Sequence, residues 1–153
     1  MTSTYTTNLG IEKITTGDQA GTWGNTTNTN FNIIDQAING IGSSTLTSSH
    51  TSSGGALAIA ITDGAVSAGR DAFIEFSDGG DIGGTGYVQL TPNNAEKILY
   101  VRNSLSASRS VIIFQGTYNA SNDFELANGK DAVIKFSGGG SGATVTQVFA
   151  DLT

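Results

Sequence analysis

Cysteine is absent from this sequence, which excludes disulfides and thiolate-bound metals. Histidine occurs once, as His50, and proline once, as Pro92. Charged residues make up 13% of the chain, about half the usual share of roughly 25%. Cations are the scarcer sign: seven Lys and Arg stand against 13 Asp and Glu, a net charge of −6. Phosphate backbones and anionic lipid surfaces are held by clustered cations, so neither a nucleic acid nor a membrane surface is an expected partner. No apolar run approaches the ~20 residues that span a bilayer. The opening residues, MTSTYTTNLG, carry no cationic and apolar leader pattern, so no signal peptide is expected there.

Chemistry is scarce too. A Ser or Thr nucleophile needs a base within reach, and the single His sits in the polar run SSTLTSSHTSSGG. The glycines of GDQAGTWGNT lack the following Lys and the leading strand of a phosphate loop. Asp78 and Asp81 in SDGGD have calcium-like spacing, but no bidentate Glu follows, and Asp-Gly turns explain the stretch. No catalytic residue, metal or cofactor is expected.

What the chain does have is glycine, 21 residues of it, with abundant Ser, Thr and Asn and a hydrophobic share of 37%. That share is enough for a core. From Leu57 onward apolar residues recur with period two. LAIAIT, AFIEFS, GYVQLT, KILYVR, SVIIFQ and ATVTQVFADL are strand candidates, separated by Gly-, Asp-, Asn- and Ser-rich turns. Short strands at this spacing predict a mainly β protein, with an antiparallel sandwich, barrel or prism over residues 56–153. RDAFIEFSDGG (70–80) aligns without a gap to KDAVIKFSGGG (130–140), matching Ile74 and Phe76 to Ile134 and Phe136. The pair is read either as an internal duplication or as one strand-turn solution reached twice.

Residues 1–42 differ. Phe31, Ile34, Ala37, Ile38 and Ile41 form a single apolar stripe at helical spacing, with a start among Thr27–Asn30 and a stop at Gly40 or Gly42. A helix of about 12 residues is marginal alone in water and needs a surface to lie on. The only tryptophan, Trp23, precedes it in a flexible, polar setting. Residues 43–55 are read as a Ser/Thr/Gly linker. Trp23, Phe31, Ile34 and Ile38 are therefore the candidate binding residues, for a partner or a neighbouring subunit.

At this point a resemblance enters. Ile14-Thr15-Thr16-Gly17-Asp18, Gly21-Thr22-Trp23-Gly24, Asn28–Asn30 and the helix Phe31–Ile41 resemble the N-terminal segment of tail-fibre and other appendage proteins of tailed bacteriophages, especially those of marine bacteria and cyanobacteria. The stretch from Asn103 to Gly140 resembles a β module of the same kind of protein. The resemblance implies a non-enzymatic virion protein, a short tail fibre or a capsid or tail decoration, whose segment 1–42 attaches to other virion proteins. It also implies a homotrimer. The alternative is a receptor- or glycan-binding module for host adsorption, for which Tyr118 with Asn119, Asn122 and Asp123 offers the one suggestive cluster.

Overall fold

The computed structural model describes residues 3–149. It begins with a two-strand hairpin, β1 (Thr4–Tyr5) and β2 (Glu12–Lys13), followed by the helix α1 (Trp23–Asn39). Then come β3 (Ile41–Leu46), β4 (Leu57–Ala60), β5 (Phe73–Asp78), β6 (Gly86–Thr91), β7 (Glu96–Asn103) and β8 (Val111–Gln115). β9 (Phe124–Leu126), β10 (Asp131–Ser137) and β11 (Val145–Gln147) complete the chain. Residues 150–152 of the last strand candidate lie outside the described residues. The protein is mainly β: among the described residues there is one α-helix, and none of the three sheets is closed.

Besides the hairpin, a five-stranded sheet runs in the order β11-β10-β7-β5-β3 and a four-stranded one in the order β4-β6-β8-β9. From β3 to β8 the chain alternates between them. The odd strands β3, β5 and β7 thus lie side by side and parallel, as do β4, β6 and β8. This corrects the expectation of antiparallel pairing. Strand spacing suggested that consecutive strands pair, but here each passes to the other sheet, and two such passages return the chain to its original direction. Antiparallel pairs are confined to the hairpin and to β8–β9, β7–β10 and β10–β11.

The inward residues of both sheets meet in one cluster. Ile74, Phe76, Leu99, Val101, Ile134 and Phe136 come from the larger sheet, and Ile59, Val88, Leu90, Val111 and Ile113 from the smaller. Each such side chain stabilises the fold by about 1.5–3 kcal/mol. The two matching segments flank the same strand: Ile74 lies opposite Val101 of β7, and Ile134 opposite Leu99. They run in opposite directions, β5 parallel and β10 antiparallel to β7. Both nonetheless seal an Ile and a Phe into the core.

The helix is longer than the periodicity predicts, reaching back to Trp23 through a run of Thr and Asn with modest helix propensity. Tertiary and local bonds compensate. The Asn30 side chain accepts from the Glu12 backbone N–H (3.0 Å) and donates to its carbonyl (2.9 Å), acting as a strand partner for β2. The Thr27 hydroxyl donates to the Trp23 carbonyl at 2.9 Å. At the other end the Gly40 N–H donates to the Gln36 carbonyl at 2.7 Å, and a Cβ on Gly40 or Gly42 would collide with the Asp71 carboxylate. Ile41 is thus outside the helix.

The stretch read as a linker is largely built in. Ser43–Leu46 belong to β3, Leu46 is buried, and two 3-10 turns, Ser48–His50 and Ser53–Gly55, follow. Ser and Thr on the solvent side of an edge strand gave β3 its linker-like composition. His50 accepts the Thr47 backbone N–H through Nδ1 at 2.9 Å, a local turn bond.

The leading segment is likewise fastened to the β-sheets. Asn8 Oδ1 accepts the Glu96 N–H at 2.9 Å, and the Gly64 N–H donates to the Gly10 carbonyl at 2.8 Å. Under Gly10 lies Arg70, fully buried, donating through Nε to the Ala65 carbonyl at 2.8 Å and through a terminal nitrogen to the Thr62 carbonyl. Burial lowers its pKa, with Asp63 partly opposing.

Candidate functional site

Helix α1 has two unlike faces. One is spent on the protein itself. Ile33 is completely buried, while Gln36 donates through Nε2 to Asp71 Oδ1 (2.8 Å) and to the Ser67 carbonyl (3.1 Å). Its Oε1 accepts the Ser67 N–H at 3.1 Å. Together with Asn30 on β2, these contacts fix the helix in orientation.

The other face is unspent. At about 100° per residue, Trp23, Ile34, Ile38 and Phe31 fall within an arc of about 80°. Trp23, Phe31 and Ile38 are 61%, 62% and 65% exposed, and Ile34 is half-buried. The helix carries one charge, Asp35. The fold thus brings all four sequence-predicted binding residues onto one solvent-facing stripe. Such a stripe, rigidly held and flanked by uncharged Thr and Asn, can bind an apolar groove or a second helix by burying rings and branched chains.

Ile41, counted with the stripe in the sequence, instead begins β3 and faces the outer side of the five-stranded sheet. Sequence reasoning missed Ile33, Gln36 and Asn30. The signal for them was present: Asn30, Ile33 and Ala37 fall on a second row at i, i+3 and i+7, beside the more conspicuous one.

The carboxylates act as clamps. Asp78 Oδ2 accepts from the Ser106 N–H (3.0 Å) and hydroxyl (3.1 Å). Asp81 takes both arms of Arg109, at 2.8 and 2.9 Å, and the Gly83 N–H at 2.9 Å. The Arg109 bond, helped by that of Gly83, holds the Asp81 carboxyl down to about 2. Among the described residues no three His, Asp or Glu side chains converge on a possible metal position.

Tyr118 is packed edge-on against Tyr87 and Phe114, with ring centres 5.6 and 5.4 Å apart. Desolvation raises its pKa, as it does that of neighbouring Asp123. Asn119 Oδ1 accepts the Ser121 N–H at 2.9 Å, closing the turn. The aromatic faces that a sugar ring would stack on are thus partly used inside the protein.

A groove of about 510 Å³ runs between Asn8 and the strands β7 and β10. Lys97 lines it, with its pKa lowered to about 8, chiefly by desolvation; its Nζ donates to the Arg70 carbonyl at 3.1 Å.

Compared with protein-family models, curated proteins and solved structures, the chain matches none.

Proposed function

We propose that this protein is a non-enzymatic structural component of a tailed-phage particle, a short fibre or a capsid or tail decoration, that attaches to other virion proteins through the outward stripe of α1. One observation carries the reading: an amphipathic helix, locked in place by Ile33 and Gln36, holds Trp23, Phe31 and Ile38 in solvent. Ordinary surface residues do not leave three large apolar side chains aligned on so uncharged a helix without a partner to cover them. The sequence resemblance supplies the class of partner and implies a homotrimer. The sheets then form a two-layered sandwich that projects from the attachment point.

The test is incorporation into particles. Trp23→Ala combined with Ile38→Ala should weaken attachment by at least about 2 kcal/mol, roughly 30-fold, as expected for interface anchors. The variant should still melt within a few degrees of the parent. Incorporation at the parental level would remove α1 from the contact.

A further inference from the structure

The five-stranded sheet has an outer face that neither the core nor α1 uses. In its cross-strand register Ile41 stands opposite Phe73, Phe73 opposite Tyr100, and Tyr100 opposite Val133. The Val148 N–H donates to the Val133 carbonyl at 2.8 Å, extending the row to the last strand. Residues in register share a face, so five apolar side chains cross the whole sheet on its solvent side. Ile41 is 82% and Tyr100 54% exposed.

Beside this row lies a charged one, Glu75–Arg102–Asp131, with Arg102 Nε 3.7 Å from Asp131 Oδ1. Lys135 stands on the other side, opposite Ile98. Glu96, exposed in alternation with Ile98, Tyr100 and Arg102, adds a third carboxylate. Three negative and two positive groups leave −1 on this face, whereas the chain carries −6. Most of the net charge therefore resides elsewhere, so two copies that meet here repel little.

The dimensions also fit. Five strands about 4.8 Å apart and about 20 Å long give a face of roughly 500 Å² in projection, more when side-chain relief is included. A standard interface takes about 800 Å² from each partner.

We propose that this outer face is where a second copy of the chain packs, apolar row against apolar row, with Arg102 of each copy near the carboxylates of the other. A face that meets itself closes as a two-fold dimer, not as the homotrimer that the sequence resemblance implies, and the contact does not depend on what α1 docks against. Being mixed in charge, the face complements itself. A strongly acidic or basic partner would gain no steering from it.

The experiment is sedimentation velocity of the purified full chain from micromolar to submillimolar concentration. The wild type should reach twice the 15.7 kDa of one chain. Tyr100→Glu should weaken that association at least tenfold, and Arg102→Glu, which leaves each face three uncompensated negative charges, should weaken it most at low salt. Trp23→Ala and Ile38→Ala should leave it unchanged, which separates this surface from the α1 stripe. Thermal melts check that each variant is folded, and Arg102→Glu keeps the test available if Tyr100→Glu does not fold. A wild type that stays monomeric throughout overturns the proposal, as does association that survives both face substitutions or is lost with the helix ones.

Discussion

Replacing Ile33 by Ala should lower stability by about 3 kcal/mol, within the 2–5 expected for a fully buried aliphatic side chain. Ile38→Ala, only five residues further along the same helix, should change it by less than about 0.5. The contrast follows from the two faces of α1. Ile33 is completely buried and its removal leaves a cavity, whereas Ile38 is largely in water already. At about 2–4 °C per kcal/mol for a chain of this size, the first substitution should drop Tm by about 6–12 °C. The second should not move it measurably. Thermal melts by circular dichroism read both. Equal effects at the two positions would mean that the helix packs on its other face.

The second large effect lies in the core. Phe76→Ala and Phe136→Ala should each cost about 3–5 kcal/mol. Both rings are almost completely buried and belong to the same cluster. They project from β5 and β10 at opposite ends of β7, Phe76 opposite Asn103 and Phe136 opposite Lys97, about 20 Å apart along the strand, beyond the distance at which neighbouring sites couple. The double substitution should therefore cost about 6–10 kcal/mol, comparable to the whole stability of an ordinary domain, and leave the chain unfolded at room temperature. Urea titrations of the single variants should show lower midpoints at unchanged slope. A double variant that still unfolds cooperatively would place one of the rings in a more yielding part of the core.

These two phenylalanines also show how much of the structure was legible beforehand. Period-two alternation identified β5 and β10 and which side of each faces inward, because burial on one face leaves that signature in any sheet. It says nothing about which strand lies next door. β5 and β10 have nearly the same sequence yet run in opposite directions beside β7, and no residue in either records that difference. The parallel pairings were hidden for the same reason: they arise from the passage of the chain between sheets, which depends on loop paths rather than strand composition. β3 was hidden differently. Its solvent side is Ser43 and Thr45 at the edge of the sheet, and only Leu46 is well buried, so it reads as a linker.

The candidate site was more legible. Phe31, Ile34 and Ile38 were visible as part of one stripe through their helical spacing. Trp23 stood out only as an indole in a polar segment before the helix, and the extension of α1 back to Trp23 brings it onto the same face. Less conspicuous was the neighbouring row, where one buried isoleucine and the amide side chains of Asn30 and Gln36 do the anchoring. Amides carry no hydrophobic signal, and their partners, the Glu12 backbone and the Ser67 backbone with Asp71, are distant in sequence. The leading segment is consequently less separable than its composition suggests. Removing residues 1–42 would also strip the first two residues of β3 and the Gly40 carbonyl that accepts from Ala72 and Phe73.

Because Trp23 is the only tryptophan, its fluorescence reports on the attachment stripe without interference. In the dilute free protein its emission should resemble that of indole in water and be strongly quenched by acrylamide; on assembled particles it should shift to the blue and become protected. An indole already shielded in the isolated monomer, or one equally quenchable before and after assembly, would contradict the assignment of that helix face to a partner.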